Sequence, residues 1–234
     1  MNIYSTDENN EEVLLSSDGK QVMMEWERPY MEKSIDVLNP TGDVLEIGWG
    51  CGYSASQIMK YNPSSYTVIE CDPTVIKRAL KWKEQYDIPI TIIEGTWQTK
   101  LSTLGKFDSI YFDDFPLHRD STNIMEEHRL LIFLTKCLQN HSKIGTRISF
   151  YVNDDTFGSK KYNFSSDIEP FITLQTTRVN VPVSKLCKYR NIKENHECII
   201  PLITVDKSFS YQEIQKFVDM QIKIATETPK HNSV

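Results

Sequence analysis

Three glycines in the spacing G-x-G-x-G, Gly48, Gly50 and Gly52, follow directly on the apolar run Asp43-Val44-Leu45-Glu46-Ile47. Glycine lets the backbone take up positive φ and lie against a ligand. The spacing is not the dinucleotide pattern G-x-G-x-x-G, and no Lys-Ser/Thr pair follows to grip a phosphate. Glu70 closes the next apolar run, roughly 20 residues beyond the glycines, where a carboxylate can accept hydrogen bonds from both hydroxyls of a ribose. Trp97, just after a third run, offers a flat apolar face for a base. With Glu46 ahead of the glycines, the set describes a site for a neutral ribose-bearing ligand. A tight turn, a solvated strand-end acid and a core tryptophan are the plainer readings of the glycines, Glu70 and Trp97.

Two further segments carry carboxylates among aromatic neighbours: Trp26-Glu27-Arg28-Pro29-Tyr30-Met31 and Tyr111-Phe112-Asp113-Asp114-Phe115-Pro116-Leu117. Carboxylates in such surroundings favour a cation with planar donors, and guanidinium fits best because its N–H groups pair bidentately with carboxylates. Alkylating a guanidino nitrogen is difficult, since the group is protonated at neutral pH and its lone pair is delocalised. A carboxylate must take up a proton to localise that pair, with the nitrogen held in line at near-contact distance. Glu27 and Asp113 are the candidates. A helix-surface Glu27 and an Asp113 that caps a turn are the structural alternatives.

The elements that must position these residues alternate in type. Apolar runs at 43–48, 66–72, 90–95, 107–114 and 147–152 read as strands, and 53–60, 73–85 and 123–139 as the helices between them. Pro73 opens the second of those helices. This rhythm predicts an α/β, doubly wound, mostly parallel sheet covered on both faces. Residues 173–181 and 197–205 are strand-like and are expected as an antiparallel edge, which makes seven strands in all. Residues 21–38 show helical spacing at Val22, Trp26, Tyr30, Ile35 and Leu38, with Pro29 dividing or kinking the helix. The organisation expected is an acidic N-terminal arm or lid over 1–20, one domain over 21–205, and a C-terminal extension over 206–234 with a helix at 210–225.

The ensemble of E-x-G-x-G, a strand-end acid and an aromatic after the third strand resembles the S-adenosylmethionine-dependent methyltransferases of Rossmann-like fold. The residues 19–31, together with Ile69-Glu70-Cys71, Gly95-Thr96-Trp97, the 111–117 segment, Cys187-Lys188-Tyr189 and Ile199-Ile200-Pro201-Leu202-Ile203-Thr204, narrow the resemblance. It is to the guanidinoacetate N-methyltransferase family and its relatives that methylate arginine at an internal guanidino nitrogen. The resemblance implies S-adenosyl-L-methionine as cofactor, with Glu27 and Asp113 holding the guanidino group and Asp113 as proton acceptor. It places Met23, Met31, Glu46, Gly48, Trp49, Gly50 and Cys51 at the cofactor. Gly52, Tyr53, Ser54, Glu70, Cys71, Asp72, Thr96, Trp97 and Asp113 complete that set, and Tyr4 closes over it from the arm. The loop 152–156 contacts the other end of the substrate in that family, which makes Asn153 and Asp154 substrate-binding. Acids at 154 and 155 disfavour a carboxylate there. Arginine and related guanidino compounds therefore stand beside guanidinoacetate as substrates, and Gln98-Thr99-Lys100 also departs from the family's acidic pair. Protein arginine is the alternative substrate, ranked second because 1–20 is not the ankyrin-type region common in protein-directed relatives. A non-catalytic cofactor-binding partner subunit is the alternative of another class.

The 234 residues carry 26 Lys+Arg against 32 Asp+Glu, a net charge of −6, which argues against a general nucleic-acid binder. No run approaches the roughly 20 apolar residues of a membrane span, and the N-terminus does not read as a secretory signal. The five cysteines form no C-x-x-C pair, which favours reduced thiols in a cytoplasmic protein over disulfides or zinc. His118, His128 and His141 lack the spacing of metal ligands, so no metal is expected. The expected partner is a small guanidino molecule, with a homodimer left open and neither nucleic acid nor membrane among the partners.

Overall fold

Short runs that are apolar on both faces become strands buried on both faces. In the computed structural model these are β4 (Asp43–Ile47), β5 (Ser65–Glu70), β6 (Ile90–Glu94), β7 (Ser109–Phe112) and β8 (Arg147–Phe150), all parallel. The long strands β9 (Ile172–Pro182) and β10 (Asn195–Val205) add an antiparallel edge, giving the order β6-β5-β4-β7-β8-β10-β9. The structure describes residues 1–114, 129–152, 171–182, 184–187 and 195–208, with positions 210, 212, 213, 216 and 219 beyond them. The expected helix at 210–225 lies mostly outside the described residues. Of the helix expected at 123–139, the described part is α5 (Arg129–Lys136), which continues into a π-helical turn at Cys137–His141.

Successive residues of each strand feed opposite cores. Val44, Tyr66, Val68 and Tyr111 join one layer with Tyr30, Ile35 and Leu38 of α1 (Arg28–Leu38), Ala55 and Ile58 of α2 (Tyr53–Met59), and Val75 and Trp82 of α3 (Pro73–Lys83). Leu45, Ile47, Ile110, Phe112 and Phe150 join the other with Trp97 of α4 (Trp97–Lys100) and Phe133 and Leu134 of α5. The sheet winds from β4 to β5 and β6 on one side and to β7 and β8 on the other. That reversal is a switch point at the carboxyl ends of β4 and β7, and it is outside such strand ends that sheets of this kind form the crevice in which they bind ligands.

The N-terminal region differs from the sequence expectation. Gln21–Met24 is not helical but a strand, β3, paired with β2 (Glu12–Leu15), which pairs in turn with β1 (Ile3–Thr6). A four-residue apolar run carries no period of its own, and the partner strand decides it. A 3-10 turn over Glu25–Glu27 then leads into α1, and Pro29 lies in the first turn of that helix, where its missing N–H costs nothing. Val13 and Leu14, apolar residues within the acidic stretch 1–20, are buried.

Candidate active site

The glycine loop is held on three sides. Gly48 has φ +81°, and a Cβ there would lie 2.1 Å from the backbone oxygen of Asp113, so the end of β7 presses directly on the loop. A Cβ on Gly50 would lie 2.8 Å from Met23 Sδ and Cε. The Cys51 N–H points at that same sulfur at 3.2 Å. From above, Tyr4 of β1 donates its hydroxyl hydrogen to the Gly50 carbonyl at 2.5 Å. The Arg78 guanidinium lies 4.3 Å from the centre of the Tyr4 ring and pairs with Glu12 of β2 at 2.5 Å.

Glu70 organises the floor of the loop. One oxygen accepts the Trp49 N–H at 2.8 Å, and the other accepts the N–H groups of Cys71 and Asp72 at 2.8 and 2.9 Å. Asp72 caps α3 through Thr74 N–H at 2.8 Å and also accepts the Asn2 N–H at 2.7 Å. The glycine turn, the end of β5 and the N-terminal strand therefore converge on two neighbouring carboxylates.

Several residues expected at the cofactor have buried side chains. Glu46 is fully buried, its two oxygens taken by the hydroxyls of Ser54 and Tyr66. Burial pushes its carboxyl up to about 8. Met31 is fully buried, with the Tyr111 hydroxyl at its sulfur. Trp49 packs edge-on to Trp82, with ring centroids 5.8 Å apart. Trp97 is only 3% exposed; its ring sits among Phe112 and Phe133, and its indole N–H is given to Asp114 at 2.8 Å. Of the residues expected at the cofactor, Glu46 within β4 and Met31, Ser54 and Trp97 on helices α1, α2 and α4 are thus buried side chains with protein partners. Tyr53 is likewise buried, with its hydroxyl between Glu12 and Glu25 at 3.1 and 2.9 Å. Gly48, Gly50, Cys71, Asp72 and Thr96 remain partly exposed around the crevice.

The burial of Glu46 carries a stability prediction. Its carboxyl keeps its proton in the folded chain to about 8, against 4.5 for an ordinary glutamate. Between those values the unfolded chain binds fewer protons than the folded one, so folded stability falls as pH rises through the window. Replacing Glu46 with Gln removes that dependence. In thermal melts the midpoint of Glu46→Gln minus that of the unaltered protein is expected to climb from about pH 5 to about pH 8 and to level beyond it. A flat difference would contradict the buried, protonated state.

The two candidate substrate carboxylates connect to neighbouring strand ends, Glu27 through Tyr151 after β8 and Asp113 directly after β7. Glu27, at the end of the 3-10 turn, is buried, with Oε2 accepting the Met24 N–H at 2.8 Å and Oε1 accepting the Tyr151 hydroxyl at 3.1 Å. Asp113 follows β7, its N–H bonded to the Ile47 carbonyl at 3.0 Å. Burial, with Asp114 and Glu70 adding and Arg129 opposing, pushes its carboxyl up to about 7. The Tyr30 ring is edge-on to Tyr151, the donor to Glu27. Asn153 and Asp154 lie outside the described residues. Sequence reasoning passed over Tyr151 and Arg78. Tyr151 stands at the carboxyl end of the fifth parallel strand, a position that could have drawn attention to it; Arg78 looks like any helix-surface charge. Among the described residues no group of three or more His, Cys, Asp or Glu could hold a metal ion, and no helix is long and apolar enough to cross a membrane.

A family model described as guanidinoacetate N-methyltransferase matches residues 3–223. Among curated proteins the chain is similar to protein arginine N-methyltransferase 2 of Candida glabrata, 37% identical over 120 residues, which cover 46% of this chain and 29% of that one. The chain thus spans less than a third of the length of such relatives. Among solved structures it is similar to the N-methyltransferase NodS from Bradyrhizobium japonicum, with a TM-score of 0.53, 16% identity, and coverage of 78% of this chain and 97% of that one. It is also similar to an O-methyltransferase from Bacillus cereus in complex with SAH, with a TM-score of 0.50, 14% identity, and coverage of 76% and 80%. At such identities these two likenesses concern the fold alone.

Proposed function

The chain belongs to the guanidinoacetate N-methyltransferase family, a family of S-adenosylmethionine-dependent methyltransferases, and from that premise we propose that it transfers a methyl group to a guanidino nitrogen, with a small molecule as substrate. The observation that carries the reading is a pair of carboxylates tied to neighbouring strand ends: Glu27, with a donor on each oxygen, one of them Tyr151 after β8, and Asp113, directly after β7 and pushed up to about 7.

The crevice fits S-adenosylmethionine. Residues 48–54 contain no Lys or Arg, which suits a ligand without phosphates, and the glycines leave the backbone bare where a Cβ would collide. Gly48 and Gly50, with Glu70, Cys71, Asp72 and Thr96 around them, would hold the cofactor. When bound, it supplies an electrophilic methyl group on a sulfonium. Glu27 and Asp113 receive the guanidinium and keep it flat between them. Asp113, ionised for roughly half of the time near neutral pH by its value of about 7, takes the proton that the nitrogen must shed and later passes it to water. Arginine in a protein is the second reading, favoured by the names of the curated relatives.

Guanidinoacetate, L-arginine, agmatine and an arginine-containing peptide, incubated with labelled S-adenosylmethionine and mapped by mass, separate these readings. Label on the guanidino end of a small molecule is the expected result. Label on the peptide alone moves the assignment to protein arginine, and label on none of the four overturns the guanidino reading.

A further inference from the structure

Tyr151 leaves β8 at its carboxyl end, with its N–H on the Phe112 carbonyl at 2.9 Å, so it stands beside the strand end that carries Asp113. Its hydroxyl donates to Glu27 Oε1 at 3.1 Å, while the Met24 N–H donates to Oε2 at 2.8 Å. The phenol is itself anchored: its ring meets Tyr30 edge-on, with centroids 5.1 Å apart and planes at 79°. Tyr30 in turn is fully buried, donating to the Ile199 carbonyl at 3.0 Å and accepting the Val152 N–H at 3.2 Å.

The last torsion of a glutamate is soft, with broad two-fold wells. Two-point pairing with a guanidinium requires the carboxylate and the cation to lie nearly in one plane. One donor on each oxygen, from two different elements, removes the soft rotation before the substrate arrives. We propose that Tyr151 is a positioning residue for guanidino recognition, setting the plane of the Glu27 carboxylate so that it meets a planar cation together with Asp113. The proposal rests on the guanidino reading of Glu27. Tyr151 also gives that reading a path from the N-terminal turn to the β7–β8 edge, since one residue touches Glu27 through its side chain and Phe112 through its backbone.

Tyr151→Phe removes the hydroxyl and keeps the ring against Tyr30. With guanidinoacetate, L-arginine and the arginine-containing peptide as probes, KM for whichever is methylated is expected to rise about tenfold, the scale of a lost hydrogen bond to a charged group. The turnover number should stay within about threefold and S-adenosylhomocysteine affinity, read by calorimetry, within about twofold, because neither depends on the Glu27 plane to that degree. In the Glu27→Gln background the same change should add little, since neighbours that act together are not additive. An unchanged KM in Tyr151→Phe, beside a raised KM in Glu27→Gln, overturns the positioning role and leaves Glu27 in place. An unchanged KM in both variants overturns the role of Glu27 and the proposal with it. Equal weakening of substrate and S-adenosylhomocysteine in Tyr151→Phe marks a merely structural residue and also overturns it.

Discussion

Asp113→Asn is expected to lower turnover by about three orders of magnitude, within the range that a positioned proton acceptor contributes, while S-adenosylmethionine affinity stays within a few-fold. The amide keeps the shape of the side chain at the end of β7 and cannot accept the proton. The loop should be undisturbed, because Gly48 packs against the backbone oxygen of Asp113 and not against its carboxylate. The pH dependence gives an independent check. Asp113 is protonated below about 7 in the free protein, so kcat/KM should rise with pH through that value and then level. A bound guanidinium favours the carboxylate form, so the same limb in kcat should lie lower. Residual activity in the variant should lack the limb. Turnover of the variant within tenfold of the unaltered protein, or a limb that survives the substitution, would remove Asp113 from the proton-transfer role.

Much of the frame was readable from the chain. The parallel strands are bounded by Gly, Pro and acid turns, and their alternation with helices left one fold class. The glycine spacing also marked a tight turn, since Gly48 and Gly50 both take positive φ and a Cβ at Gly48 would meet the backbone oxygen of Asp113. What the sequence concealed has one physical origin: a side chain's type does not say which layer it enters. Trp97 is aromatic and follows the third strand, yet it turns into the core formed with Phe112 and Phe133 and spends its N–H on Asp114. Glu46 is an acid beside the loop, yet Ser54 and Tyr66 enclose it. Val22, Met23 and Met24 fit a helical stripe as well as a strand, until β2 supplies the partner. Long-range pairs such as Tyr4 with Gly50 and Tyr151 with Glu27 leave no local pattern at all.

Glu70 is a single carboxylate that serves several backbone groups at once. Three N–H donors, from Trp49, Cys71 and Asp72, end on it, and Glu70 is itself buried. Glu70→Ala leaves those donors without this acceptor at the point where the glycine turn meets β5. Each buried donor left unpaired costs about 1–3 kcal/mol, and part of that cost falls on the loop conformation that binds the nucleoside. S-adenosylhomocysteine affinity is therefore expected to fall by about 100-fold or more, since about 1.4 kcal/mol corresponds to each factor of ten. Glu70→Gln should recover little. An amide has one acceptor oxygen and turns an NH2 group toward the donors on the other side, so it can serve either Trp49 or the Cys71–Asp72 pair and repels the rest. Glu70→Asp keeps both acceptors but is shorter by one methylene, and the Trp49 bond, which spans from β5 to the loop, should be the one lost. The affinity order expected from calorimetry is unaltered protein, then Asp, with Gln and Ala together at the bottom. Guanidino-substrate KM at saturating cofactor should move much less, because Glu27 is held by Met24 and Tyr151 on other elements. Parallel losses in cofactor affinity and guanidino KM across the three variants would show that the crevice does not divide in this way.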